Sequence, residues 1–319
     1  VAIGSSSADA VTTGDYNVAI GANALGVSTT GGYNIAIGGV AMGLADTTGS
    51  NNIAMGQNAA DALTSGACNI AMGPVALGAA TTGFHNVALG NLALGVSTTG
   101  CDNIALGFTA LGAADTTGSN NIGIGNHAGG GTVTGDRNTA IGYLAGDALT
   151  SGAENIGIGP NAFGGGTTGS GNIAIGNGPM NSTVTGACNI AMGINALGAA
   201  TDQCDVIAIG NGAFAASVND GDNNIAIGKT AMGGADVSGT SNIAIGTAAM
   251  DALTPGTTNI ALGPNALGQS TTGGCNIALG NGALGGSDTT GSNNIALGYA
   301  AADALTSGAC NIAMGINAL

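Results

Sequence analysis

The 319-residue sequence has few charged and aromatic side chains: 6% and 3% of residues respectively, with no tryptophan. An ordinary globular domain has about a quarter charged residues, so an ordinary domain with an aromatic-rich core is excluded. Cations are almost absent, since only Arg137 and Lys229 oppose a net charge of −15. This excludes nucleic acid and disfavours anionic membrane surfaces as partners, because both need basic protein surfaces.

Long hydrophobic runs are also missing. Gly, Asn and Thr interrupt every apolar stretch before the ~18 residues that a membrane helix requires, so membrane insertion is not predicted. The sequence has no Ser/His/Asp constellation, no CxxC motif and no phosphate-binding loop, and His85 and His127 stand alone. We therefore predict a chain that is not an enzyme and has no organic cofactor.

One motif fills the sequence instead: Asn-Ile-Ala-Ile-Gly, a small-residue segment with Ala-Leu or Ala-Met, and a Thr-Thr-Gly turn. Its opening Asn recurs every 17 or 18 residues, as at Asn52, Asn69 and Asn86. Repeats of about this length are typical of solenoids, whose coils bury their apolar sides against one another. We predict an all-β parallel β-solenoid (β-roll or β-helix) of 17–18-residue coils, continuous over residues 1–319.

Two short strands are predicted in each coil, Asn-Ile-Ala-Ile and a second around pairs such as Ala24-Leu25. Equivalent strands would stack ~4.8 Å apart, giving an interior of an Ile column, a Leu/Met column and an Asn ladder. Two recurring glycines, exemplified by Gly21 and Gly31, predict two corners with positive φ. Both ends of the sequence lie inside a repeat, so we expect a segment of a longer array or end-to-end joining.

The middle residue of the Ile-Ala-Ile strand is almost always Ala or Gly. If the two Ile residues point inward, this small column faces outward, where a solvent-exposed sheet would normally carry varied polar groups. We predict that it packs against another copy; alternatively, small residues merely suit a tightly wound coil. The predicted self-association face comprises Ala19, Ala36, Ala54, Ala71, Ala88, Ala105, Ala140 and Ala174.

One irregular region, around residues 201–223, loses a turn Gly and an opening Asn and gains acidic residues. Stacking would place four carboxylates on one edge, where like charges repel and Ca²⁺ with oxygen ligands would relieve the repulsion. The alternative is a degenerate repeat with a solvated acidic edge. The four candidate calcium ligands are Asp202, Asp205, Asp220 and Asp222.

Six cysteines are present, and only Cys188 and Cys204 occupy consecutive coils. Only this pair can approach the ~5.5–6 Å Cα spacing of a disulfide. The alternative is that Cys serves as a small apolar turn residue.

The segment Val1-Ala-Ile-Gly-Ser-Ser-Ser-Ala-Asp-Ala-Val-Thr-Thr-Gly-Asp-Tyr-Asn-Val-Ala-Ile-Gly21 resembles the head repeats of trimeric autotransporter adhesins. Asn-Ile-Ala-Ile-Gly arrays are also similar to those of phage tail fibres. The adhesin resemblance implies a left-handed parallel β-roll, three chains side by side, and attachment to host matrix or receptors. This chain differs in its longer unit, in Asn where the family usually has Ser, and in having no neck or coiled-coil stalk.

We interpret the chain as a non-catalytic structural solenoid in an extracellular fibre or appendage, on a cell or virion surface. It is expected to associate with itself laterally or end to end. The alternatives are an adhesin head or phage tail-fibre segment that binds a host receptor or glycan, and an ice-binding protein. Ice binding is less favoured because paired threonines such as Thr29-Thr30 are adjacent and so cannot share one face.

Overall fold

The computed structural model describes residues 1–165, 168–182, 184–199, 201–217 and 221–319. These residues form strands, turns and bends, and none of them is helical. The chain is an all-β parallel β-solenoid, which confirms the predicted fold class. It divides into two compact units, one built on Val1–Asn161 and the other on Gly169–Leu319.

Each coil contributes one short strand. The first unit contains β1 (Ala2–Ile3), β2 (Val18–Ile20), β3 (Ile35–Ile37), β4 (Ile53–Met55), β5 (Ile70–Met72), β6 (Val87–Leu89), β7 (Ile104–Leu106), β8 (Ile122–Ile124), β9 (Thr139–Ile141) and β10 (Ile156–Ile158). The second contains β11 (Ile173–Ile175), β12 (Ile190–Met192), β13 (Ile207–Ile209), β14 (Ile225–Ile227), β15 (Ile243–Ile245), β16 (Ile260–Leu262), β17 (Ile277–Leu279), β18 (Ile295–Leu297) and β19 (Ile312–Met314).

Within each unit, successive strands pair in parallel and in register. In the pair β4–β5, for example, Ala54 lies beside Ala71 and Met55 beside Met72. Equivalent side chains therefore stack in columns, as the repeat predicted.

The predicted second strand is wrong, because the segment around Ala24-Leu25 consists of two successive β-turns. The N–H of Ala24 donates to the carbonyl of Gly21 at 3.3 Å, and that of Gly26 to Asn23 at 3.1 Å. Asn23 and Leu25 have φ of 56° and 50°. Between these turn bonds, the Leu25 N–H donates to Ala41 in the next coil at 3.0 Å, so stacking stabilises a turn that the local sequence alone does not favour.

Large apolar side chains recur at this left-handed position, for example Leu25, Leu77 and Phe163, and all three are fully buried. A left-handed conformation costs an L-residue ~1–2 kcal/mol, whereas burial of such a side chain stabilises by ~1.5–3 kcal/mol. Core formation therefore outweighs the backbone preference in each coil.

Of the three predicted interior columns, the Ile column is wrong. The Leu/Met column is buried, but the second buried column belongs to the Ala residues in the middle of the strands, and the flanking Ile residues point outward. The interior is too narrow for two large columns, as Gly123 shows: a Cβ there would lie 2.8 Å from Leu111 Cγ. Alanine is used in the strand because the Leu/Met column already fills the coil.

The predicted Asn ladder is present and buried. The backbone N–H of Asn86 donates to Asn69 Oδ1 at 2.9 Å, and Asn86 Nδ2 donates to the Gly100 carbonyl at 2.8 Å. Asn86 Oδ1 in turn accepts the N–H of Asn103 at 2.9 Å. Each Asn thus connects its own coil to both neighbours.

The two recurring glycines are required for different reasons. Gly21 has φ of 132°, which supports the predicted corner at the end of the strand. The turn Gly does not have positive φ; at Gly100 an added Cβ would lie 2.6 Å from the Gly118 carbonyl and 2.8 Å from Asn103 Nδ2. The second Gly is therefore required by lack of space beside the Asn ladder, which corrects the predicted second positive-φ corner.

Candidate interaction surface

The outer face of the sheet is the main surface feature of each unit. We call the first and third residues of the strands the outer columns. In β2–β19 the middle residue is buried and both flanking residues are at least partly exposed. The alternation of the Ile-Ala-Ile motif thus places aliphatic side chains outside in nearly every coil.

The outer columns are aliphatic with a single exception, Thr139. The first column contains Val18, Ile35, Ile53, Ile70, Val87, Ile104, Ile122, Thr139, Ile156, Ile173, Ile190, Ile207, Ile225, Ile243, Ile260, Ile277, Ile295 and Ile312. The second contains Ile20, Ile37, Met55, Met72, Leu89, Leu106, Ile124, Ile141, Ile158, Ile175, Met192, Ile209, Ile227, Ile245, Leu262, Leu279, Leu297 and Met314.

These side chains are incompletely covered. Met72 and Ile245 are each 40% exposed and Ile104 is 37% exposed, although all three lie well inside their units. A soluble monomer rarely exposes a contiguous apolar patch larger than ~300–600 Å². A continuous pair of aliphatic columns therefore marks this face as a candidate contact surface.

The predicted self-association face is wrong in its residues. Its eight alanines are the buried middle residues of the strands, each at most 1% exposed: Ala19, Ala36, Ala54, Ala71, Ala88, Ala105, Ala140 and Ala174. They lie inside the coil and cannot contact another chain. The predicted alternation along each strand is correct, but the middle residue faces the interior and the flanking residues face outward.

Strands β1–β19 contain no charged side chain, and several charged side chains lie in the turn that precedes the Asn ladder. There Arg137 donates to Glu154 Oε1 at 2.6 Å, and His85 Nδ1 lies 3.2 Å from Asp102 Oδ1. In both cases the partner occupies the same position of the next coil. These exposed pairs therefore bridge consecutive coils outside the strands.

The acidic edge has a partly structural explanation. Asp222 Oδ1 accepts the backbone N–H of Cys204 at 2.7 Å, as Ser119 Oγ does for Cys101 in another coil. Asp205 is exposed, and the Thr201 hydroxyl contacts Asp202 Oδ1 at 3.4 Å.

The fourth predicted calcium ligand, Asp220, lies outside the described residues. Among those that are described, no three His, Cys, Asp or Glu side chains are grouped to hold a metal ion. The calcium site with Asp220 stays a prediction.

The predicted disulfide partners belong to different columns, and both thiols are free. Cys188 is exposed, and the residue at its position in the next coil is Asp205. Cys204 Sγ accepts the N–H of Ala187 at 3.4 Å. In the neighbouring coil, each cysteine therefore lies beside a residue that is not its predicted disulfide partner.

The turn threonines are engaged in contacts between coils. Thr29 Oγ1 donates to Asp46 Oδ1 at 2.8 Å, and the Thr29 N–H donates to the same oxygen at 2.7 Å. Thr47 is buried, and its hydroxyl donates to the Leu63 carbonyl at 2.9 Å. These contacts engage one threonine of each pair, whereas its neighbour, Thr30 or Thr48, is exposed.

Two half-buried or buried carboxylates occupy equivalent turn positions with different surroundings. Asp61 Oδ2 accepts a hydrogen bond from Asn58 Nδ2 at 2.7 Å. Asp147 has no such neighbour: its Oδ1 is buried without a partner among the described residues. Burial raises the pKa of Asp147 above 3.8, opposed by its own backbone N–H and by His127.

No helix capable of spanning a membrane occurs in the part of the chain that the structure describes. No protein-family profile matches the sequence, and a comparison with curated proteins finds no significant relative.

Proposed function

We propose that this protein is a non-catalytic structural element of an extracellular fibre or appendage, and that copies associate laterally through the outer columns. The observation that carries the proposal is the aliphatic character of both columns, which only Thr139 interrupts. Several of these side chains well inside the units are 36–40% exposed, including Met72, Leu89 and Ile245.

A second copy of this chain is the partner that fits the face best. Its outer columns have the same rise per coil, ~4.8 Å, so the side chains of two copies can interdigitate over many coils without losing register. The face also carries no charge, although the net charge of the chain is −15. Carboxylates in the turns keep the other faces apart and restrict close contact to the aliphatic one.

The interior is consistent with a structural role. Backbone groups are bonded between coils, and buried Asn side chains bridge successive coils in both units. In a solenoid, stability grows with the number of stacked coils. A uniform core of buried Ala, Leu and Met columns suits an extended scaffold, which supports a structural role over an enzyme.

The test is the mass of the protein in solution with the outer face charged. In Met72→Glu/Leu89→Glu, both substituted residues lie in the second outer column and are 40% and 36% exposed. The matched control is Val27→Glu/Val96→Glu, because these valines are 42% and 41% exposed but lie in the turns. We expect sedimentation velocity to show oligomers for the wild type and the control, and monomers for the outer-face variant.

Monomeric wild-type protein across the micromolar range contradicts lateral association. Equal loss of mass in both double variants contradicts the assignment of the contact to the outer columns. Circular dichroism of each variant distinguishes dissociation from unfolding.

A further inference from the structure

A groove of about 360 Å³ crosses several coils of the second unit, away from the outer columns. Its lining includes the side chains of Asn265, Gln269, Asn281, Tyr299 and Asp303. Glycines, including Gly282 and Gly285, also line the groove and have no side chains to fill it. Because glycines in successive coils have no side chains, they leave a recess in an otherwise regular surface.

Several polar side chains that line the groove take no part in the hydrogen bonds of the fold. Asn265, Gln269, Asn281 and Tyr299 are all exposed. Their side chains make no hydrogen bond to any other described residue, in contrast to the buried Asn ladder, whose amides are used. Gln269 is unusual in its column, since the equivalent residues of other coils include Val27, Leu44 and Val96.

This combination fits a neutral oligosaccharide. Amide side chains both donate and accept hydrogen bonds and therefore match hydroxyl groups, and the Asp303 carboxylate adds an acceptor. The exposed ring of Tyr299 offers an apolar surface beside a hydroxyl group, as needed by a sugar ring with C–H and O–H groups. Asp251 and Asp303 stand at opposite ends and no cation lines the groove, so anionic saccharides are disfavoured.

We propose that this groove, defined by Asn265, Gln269, Asn281, Tyr299 and Asp303, binds a neutral oligosaccharide. Its lining residues come from four successive coils, which spans about 14 Å at one strand spacing per coil. That length accommodates more than one sugar ring. The inference concerns a surface distinct from the outer columns and does not depend on lateral association.

The first variant removes the aromatic side chain from the groove. Tyr299→Ala should weaken binding of neutral oligosaccharides at least tenfold. Tyr143→Ala is the matched control, because Tyr143 occupies the same position of its coil and is 55% exposed, against 58% for Tyr299. The control should bind as the wild type does.

The second variant fills the groove without strain. Gly282 has φ of 67°, and an added Cβ there would contact nothing within 4 Å. Asn265 occupies the equivalent position at φ of 54°, so Gly282→Asn is compatible with the backbone and should abolish binding. Gly212→Asn is the control, since Gly212 has φ of 64° in an equivalent position outside the groove.

The full chain is applied to an array of neutral and of sialylated or sulfated oligosaccharides, three to five sugars long, and hits are measured by calorimetry. We expect neutral saccharides to bind and the two groove variants to lose binding while their controls keep it. Absence of binding to every neutral saccharide overturns the proposal. So does equal binding of anionic saccharides, or equal loss in Tyr143→Ala and Tyr299→Ala.

Discussion

Replacing Asn86 by Val removes the hydrogen bonds that this side chain makes to the following coil. The Gly100 carbonyl loses its donor at 2.8 Å, and the N–H of Asn103 loses its acceptor at 2.9 Å. The Val side chain itself fits, because Val206 occupies the equivalent ladder position and is fully buried. The change therefore isolates the hydrogen bonds from packing.

Two buried polar groups are left unpaired in Asn86→Val. At ~1–3 kcal/mol for each unpaired group, the free energy of unfolding should fall by about 2–6 kcal/mol. The burial of the Val side chain offsets part of this loss, so the lower half of the range is expected. Urea denaturation followed by circular dichroism measures the change.

The reverse substitution gives the opposite sign. Val206 donates its N–H to Asn189 Oδ1 at 2.9 Å but offers no acceptor to the next coil. Val206→Asn should therefore stabilise the protein by ~0.5–1.5 kcal/mol. Asn91→Val, at an exposed position outside the ladder, should change stability by less than about 0.5 kcal/mol. A loss below ~1 kcal/mol for Asn86→Val, together with no gain for Val206→Asn, would refute the structural role of the ladder.

Four further substitutions test other features of the structure. Ala88→Leu should destabilise by at least ~1–3 kcal/mol, because the inward column has no room for a large side chain; a neutral effect in urea denaturation would contradict the inward assignment. Asp147→Asn should raise the melting temperature at neutral pH, because burial raises the pKa of the carboxyl and stability is lost as pH rises from 3.8 through the raised value. The gain should vanish below that window, and Asp61→Asn, which replaces the charged acceptor of Asn58 with a neutral amide oxygen, should lower the melting temperature. Thr258→Gly should stabilise by ~1 kcal/mol, because Thr258 is an exposed β-branched residue at φ of 58°; unchanged stability would contradict the strain.

The sequence predicts the period, the parallel stacking and the Asn ladder, because each depends on which residue recurs at which interval. The spacing of residues such as Asn69 and Asn86 is enough to predict the ladder. The spacing does not show which strand residues point inward, because an Ile-Ala-Ile strand can alternate with either face inside. What decides it is the width of the coil, which Leu77 and its equivalents in the turn segment already fill.

That turn segment explains the other error. Leu and Met are poor residues for positive φ, so a sequence-based reading assigns Ala24-Leu25 to a strand. The structure shows that hydrogen bonds between coils and burial of Leu25 compensate for its conformation. The groove was also missed, because glycines such as Gly282 and Gly285 resemble the other glycines of the repeat until their place in the coil is known.

Lateral association through the outer columns is tested most directly by photo-crosslinking. A photoreactive benzophenone side chain replaces either Ile104, in the first outer column, or Val96, in a turn; these residues are 37% and 41% exposed. We expect irradiation to produce covalent dimers and larger species only from position 104, with mass spectrometry placing the attachment on outer-column residues of another copy. Absence of crosslinks between chains from position 104, or equal crosslinking from position 96, would contradict the account.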